Sequence, residues 1–139
     1  QILFTDATGT FLEELGGMNV VVVGKDGTAS TPRLNGSILE GVTRSSILTL
    51  LAERGLTVAE RDIPLAEVVE GVRSGAISEM FACGTAAVVT PIGRLAGADF
   101  DLQVGDGEAG AVTSDVHATL TGIQYGTLPD PHGWMTRLV

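Results

Sequence analysis

Residues 20–23 are four consecutive valines, preceded by Asn19 and closed by Gly24. β-branched side chains favour extended backbone, and a strand sends successive side chains to opposite faces. An unbroken apolar run therefore needs cover on both faces, as in the middle of a sheet packed between two layers. That requirement excludes an isolated hairpin or a sheet open to water on one side. The chain has the means to meet it: 139 residues, 44% hydrophobic and 18% charged, suit one domain with a core of its own.

Around this run the other elements follow from local signals. Residues 24–27 carry an Asp-Gly hairpin turn, and residues 28–31 return as the partner strand. Residues 2–5 and 11–15 read as short strands about a turn at 6–9. Residues 57–63 alternate as a half-buried strand. Residues 77–82 and 86–90 read as strands separated by a break at Cys83, Gly84 and Thr85, and residues 100–104 as a short edge-like segment. One helix is expected from Thr43, read as its cap, to Gly55. A second spans 65–73, with Leu65, Val68, Val69 and Val72 on one face, and a third spans 111–125. Residues 32–41 are expected as loop, as is the tail, where Trp134 serves as a packing anchor. Strands and helices intersperse without a βαβ period, so the predicted class is mixed α/β, of the α+β kind.

Charge and composition exclude several functions. Seventeen acidic residues against eight basic ones give a net charge of -9, the wrong sign for a surface that tracks nucleic-acid phosphates. The apolar runs are too short to span a bilayer, and no basic stretch followed by an apolar one opens the chain. Cys83 is the one cysteine, so no internal disulfide is implied. The expectation is a cytoplasmic protein without nucleic-acid or membrane partners. Every basic residue except Lys25 is arginine, and the chain opens on Gln1 within a strand-like run; a portion of a longer protein is expected.

Several places have chemical capacity. Gly41, Val42, Thr43 and Arg44 open the clearest helix, whose first N–H groups can hold an anion such as a phosphate; alternatively Thr43 only caps it. Cys83-Gly84-Thr85-Ala86 offers close backbone approach with N–H and O–H donors, or is a bulge or tight bend. Glu13 and Glu14 end a strand, where a carboxylate meets a positive partner, holds a proton or is simply solvated. His117 and His132 lack metal-type spacing, so no metal site is expected, and Cys83 reads as a buried, inert thiol. Asp99, Asp101, Asp106 and Glu108 lack the ligand order of a calcium loop and read as solvated.

Taken as strings, the residues say more. Glu13-Glu14-Leu15-Gly16-Gly17-Met18-Asn19 is followed by Leu34-Asn35-Gly36-Ser37-Ile38-Leu39-Glu40-Gly41-Val42-Thr43-Arg44. Then come Cys83-Gly84-Thr85-Ala86-Ala87 with Thr90-Pro91, Leu120-Thr121-Gly122-Ile123-Gln124-Tyr125-Gly126, and His132-Gly133-Trp134-Met135. In this order, over essentially the whole chain, they resemble the branched-chain amino acid aminotransferases of the fold-type IV pyridoxal-phosphate group. The resemblance implies that residues 1–139 form the C-terminal, cofactor-binding domain of the D-amino acid aminotransferase-like fold. It implies pyridoxal 5'-phosphate as cofactor, with Glu14 on the pyridine nitrogen and Val42, Thr43 and Thr85 on the phosphate. Thr85 and Ala86 match the backbone that takes the substrate carboxylate. The implied activity moves an amino group from Leu, Ile or Val to 2-oxoglutarate, in a homodimer when full length.

One departure matters. The family's Schiff-base lysine lies upstream of the Glu-Glu-Leu-Gly-Gly motif, outside these residues, as do the arginine and tyrosine groups of its N-terminal domain. Lys25 falls in the predicted hairpin tip and does not replace it, so this chain alone is expected to be inactive. Other fold-type IV enzymes, a D-amino acid aminotransferase or an aminodeoxychorismate lyase, stay open as alternatives. So does a stand-alone ligand-binding or regulatory module that kept the fold without the chemistry.

Overall fold

The valine run becomes the central strand of the molecule. The computed structural model describes residues 1–138. Strand β1 (Leu3–Thr5) pairs antiparallel with β2 (Leu12–Leu15), and β3 (Asn19–Gly24) follows directly. β3 sits in the middle of a five-stranded sheet with β4 (Thr28–Pro32), β5 (Thr57–Arg61), β6 (Ile77–Gly84) and β7 (Val88–Pro91), in the order β5-β4-β3-β6-β7. Only β4 and β5 run parallel, joined through helix α1 (Val42–Glu53). Helix α2 (Leu65–Ser74) links β5 to β6. A small hairpin of β8 (Arg94–Ala96) and β9 (Asp101–Gln103) precedes helix α3 (Ala111–Gln124).

The four valines divide strictly by parity. Val20 and Val22 join Leu12, Ile63, Val68, Val72, Met80 and Ala82 in one core beneath α2. Val21 and Val23 join Ile47, Leu50, Leu51, Phe81, Cys83, Val116 and Leu120 in a second core beneath α1 and α3. Two-sided cover of the run, expected from its lack of alternation, is what the packing provides. The mixed α/β class stands with it.

Turns are closed by carboxylates. Asp26 accepts the Thr28 N–H at 2.9 Å in the β3–β4 turn, where Gly27 takes φ 83°. Asp6 accepts the Thr8 hydroxyl at 2.6 Å and the N–H groups of Thr10 and Phe11 at 2.8 and 2.9 Å in the β1–β2 turn. Those bonds, led by the Thr8 hydroxyl, hold its carboxyl down at about 2.

Several boundaries differ from the sequence expectation. Thr43 is not the cap of α1: the helix starts at Val42, its N-cap is Gly41 at φ 71°, and no side chain caps it. Cys83 and Gly84 lie inside β6 rather than breaking it, because backbone pairing with β3 and β7 continues through both. The turn is confined to residues 85–87. β5 ends at Arg61, whose side chain turns to Glu67 on α2, and β4 takes in Pro32. β8 was not signalled, since its strand has one buried side chain, Leu95, and is held from outside by Arg94 and Asp101 at 2.7 Å.

Because both faces of β3 are covered, neighbouring positions are equally intolerant of polarity. Val20→Thr and Val21→Thr should each destabilise the fold by about 1–3 kcal/mol in denaturant titrations, the cost of burying a hydroxyl. A strand covered on one side would lose stability at only one of them.

Candidate functional site

One end of the sheet collects the residues singled out by sequence. The register sets Asn19, first residue of β3, opposite Cys83 near the end of β6. A Cβ on Gly84 would meet the Met18 side chain at 3.3 Å, so the β6–β7 turn with Thr85 and Ala86 lies beside the β2–β3 turn that follows Glu14. Asn19 is buried, and its side-chain amide donates to the Leu39 carbonyl at 2.8 Å. Its Oδ1 lies where a Cβ on Gly41 would stand, 2.3 Å away. Glycine is required at 41 both for that approach and for its φ of 71°. The same loop is tied to β2 by Glu13, which accepts from Ser37 Oγ at 2.5 Å and Asn35 Nδ2 at 3.1 Å. Of the acidic pair, Glu13 is thus a loop anchor, while Glu14 has no hydrogen-bond partner among the described residues.

The hydrogen bonding separates occupied from available groups. At the start of α3, Glu79 accepts the N–H groups of Val112 and Thr113 at 3.1 and 2.8 Å and the Thr113 hydroxyl at 2.7 Å. Nothing comparable fills α1, which has neither a side-chain cap nor an acid in its first turn. The N–H groups of Val42 and Thr43, the hydroxyls of Thr43 and Thr85 and the half-buried carboxylate of Glu14 make no hydrogen bond with a described residue. Available donors at a helix N-terminus suit a phosphate, and a half-buried carboxylate suits a protonated ring nitrogen. The residues present fit a phosphorylated pyridine cofactor.

Arg44, one residue further along α1, is buried and donates through Nη2 to Glu60 Oε2 at 2.6 Å and to the Pro32 carbonyl at 3.1 Å. It fixes the first turn of α1 to β4 and β5. Cys83 lies in the core, and burial pushes its thiol up to about 12, against a smaller downward pull from Arg44. This is the inert thiol expected of it.

The cavities place the candidates unequally. A cleft of 380 Å³ at the start of α1 is lined by Glu40, Gly41, Val42, Ser45, Ser46 and Trp134. A hollow of 190 Å³ beside it touches Val42, Thr43, Ser46 and Trp134. Glu14, Thr85 and Ala86 line neither; they share the sheet end with α1 but not one enclosed pocket. A third cavity, of 410 Å³, lies at the other end of β3 around Gly24 and Lys25 and holds none of the candidates. Lys25 occupies the hairpin tip, as expected. His117 is exposed on α3, and the His132 ring stacks on Trp134 at 4.0 Å. Asp101 pairs with Arg94, and Asp99, Asp106 and Glu108 are exposed.

Comparison with known proteins gives the family. The profile of the family described as amino-transferase class IV matches residues 1–95. The chain belongs to the class IV aminotransferases. This class IV chain is 46% identical over 142 residues to the branched-chain-amino-acid aminotransferase of Mycobacterium tuberculosis (strain ATCC 25618 / H37Rv), covering 99% of the chain and 39% of that protein. It is 42% identical to branched-chain-amino-acid aminotransferase 2 of Bacillus subtilis (strain 168), with 99% and 38% covered. The crystal structure of the Escherichia coli branched-chain amino acid aminotransferase superposes with a TM-score of 0.82 at 32% identity, covering 99% of this chain and 41% of that one. The chain thus spans about 39% of the length of the curated relatives it matches. No helix among the described residues is long and apolar enough to cross a membrane.

Asn19 and Gly41 hold the site together, and sequence reasoning placed them in a motif without giving them a role. A signal was available: a polar residue heading a fully buried strand needs a partner, and a glycine just before a helix suits a positive φ. Gly41→Ala should cost about 1–3 kcal/mol in unfolding experiments, through backbone strain and the collision with Asn19. Cys83 supplies a pH test. The unfolded thiol ionises near 9 while the native one stays protonated to about 12, so alkalinity between those values favours the unfolded chain. Labelling of Cys83 by a thiol reagent at pH 8 should therefore track unfolding, with a rate that rises in step with denaturant.

Proposed function

We propose that this chain is the C-terminal, cofactor-binding portion of a pyridoxal-phosphate-dependent branched-chain amino acid aminotransferase. The whole protein would transfer the amino group of Leu, Ile or Val to 2-oxoglutarate, as a cytoplasmic homodimer serving branched-chain amino acid biosynthesis. The observation that carries the reading is the set of available polar groups at one sheet end: the Glu14 carboxylate, the Val42 and Thr43 N–H groups, and the hydroxyls of Thr43 and Thr85. Their occurrence in a chain 46% identical to a branched-chain-amino-acid aminotransferase supports the substrate class.

When bound, pyridoxal phosphate supplies the electron sink that lets an amino group leave one carbon and join another. The chain's own residues bind and orient. Val42 and Thr43 would donate N–H bonds to the phosphate, where the partial positive charge of the α1 N-terminus adds attraction. The Thr43 and Thr85 hydroxyls would donate further bonds. Glu14, as a carboxylate, would keep a proton on the pyridine nitrogen, which strengthens the ring as an acceptor of electrons. The N–H groups about Thr85 and Ala86 would receive the substrate carboxylate. Lys25, on the hairpin tip at the far end of β3, takes no part. The covalent lysine of the reaction would belong to the rest of the protein.

The test uses full-length protein with leucine and 2-oxoglutarate. Glu14→Ala should lower kcat by about a hundredfold or more, the scale of a proton held at the reacting system, while cofactor still binds. Turnover near the wild-type rate in that variant overturns the assignment. Thr43→Ala with Thr85→Ala should raise the Kd for pyridoxal phosphate about tenfold or more and leave the melting temperature of the apo protein unchanged. Unaltered affinity removes both residues from the phosphate site.

A further inference from the structure

The tail after α3 forms a device that the cofactor reading does not use. The Asp130 carboxylate accepts the N–H groups of His132 at 3.1 Å and Met135 at 2.7 Å, curling the tail into a turn. That turn stacks the His132 and Trp134 rings with centroids 4.0 Å apart and planes 19° from parallel. His132 Nε2 lies 3.6 Å from Glu53 Oε2, on the last residue of α1. Trp134 lies toward the N-terminal half of that helix. It lines the cleft with Gly41, Val42, Ser45 and Ser46, and also the hollow shared by Thr43 with Leu120, Ile123 and Gln124 of α3. The ring pair thus lies along α1, with His132 beside the Glu53 side chain and Trp134 facing Val42, Thr43 and Ser46 across the two hollows, and Trp134 packs onto the core formed by Val21, Ile47 and Leu120.

The first turn of α1 needs such support. It has no side-chain cap and no first-turn acid, its N-cap is a glycine, and Val42 is 86% exposed. Helix ends without caps fray, and a frayed turn spreads the directions of the N–H groups that an anion must meet together. Asn19 and Arg44 hold the turn from the sheet side. On the solvent side the tail brings Trp134 to the hollows that this turn lines.

We propose that Trp134 is a positioning residue for the anion cradle at the start of α1, with the stacked His132 setting its ring. The inference rests on the cofactor reading of that cradle. Trp134 fixes the aim of the Val42 and Thr43 N–H groups and thereby acts on the phosphate alone, leaving the contacts to the pyridine ring unchanged.

The test compares pyridoxal phosphate with pyridoxal, which lacks the phosphate, on full-length apo protein. Trp134→Ala should weaken the phosphorylated ligand about tenfold and the unphosphorylated one less than about twofold, while Trp134→Phe, which retains a stacking ring, stays within about threefold of wild type for both. Equal weakening of both ligands, or none, overturns the proposal. Amide hydrogen exchange gives a readout without ligand: in Trp134→Ala the amides of residues 42–46 should exchange faster while those of β3 keep their protection. Uniform loss of protection reduces Trp134 to a core residue and overturns it too. A wild-type protein that binds neither ligand fails the cofactor reading itself, an outcome separate from those above because hydrogen exchange still reports on the strap.

Discussion

β3 is held on both faces, and this constraint propagates to everything that matters for chemistry. A one-residue slip of the strand would exchange Val20 and Val22 with Val21 and Val23. Both sets would stay apolar, so burial of the valines alone does not fix the register. The ends do. Asn19 must find the Leu39 carbonyl, and Gly24 must enter the Asp26 turn. With both ends pinned, Asn19 faces Cys83, Gly84 meets Met18, and the turn carrying Thr85 arrives beside the one that follows Glu14. The location of the candidate site is a consequence of strand register.

The acidic composition acquires a meaning in this setting. Carboxylates of Asp6, Asp26, Asp130, Glu13 and Glu79 accept from nearby N–H or side-chain donors and so serve as internal fasteners. Glu79 is the clearest case, since it reaches from β6 to fill the start of α3 and leaves no room for a Cβ on Gly110. Among the described residues, a chain so well supplied with acids leaves the start of α1 uncapped and Glu14 without a partner. Available groups stand out against satisfied ones, which is why the hydrogen-bond pattern marks the site more sharply than the cavities do.

How much of this was legible beforehand depended on range. The valine run, the Asp-Gly turn and the amphipathic α2 are local patterns, and their placement and burial followed from them. Thr43 was misread as a cap because a hydroxyl residue before an apolar face is the usual signal; Gly41 took the position through its contact with Asn19, a contact across the sheet. Cys83 and Gly84 looked like a break because glycine weakens a strand, yet pairing on both sides carries β6 through them. Glu13 and Glu14 are neighbours in one strand, and only the positions of Asn35 and Ser37 separate the anchor from the other carboxylate. The family motifs named the stretches, while the joints between them were tertiary.

Arg44 shows how scaffold and site share one residue. A cation in the first turn opposes the helix dipole, and burying its guanidinium costs hydration. Its partner Glu60 is unequal to it: the arginine side chain is 4% exposed and the glutamate 49%. Water screens the glutamate far more than the arginine, so the pair leaves residual positive potential inside the protein, directly behind the first turn of α1. For a helix whose N-terminus met only solvent this would be a liability. Beside an anion it adds to the attraction of the Val42 and Thr43 N–H groups. The buried Nε of Arg44 has no hydrogen-bond partner among the described residues. The same arginine therefore fastens α1 to β4 and β5 and, on the cofactor reading, would favour negative charge at its open end.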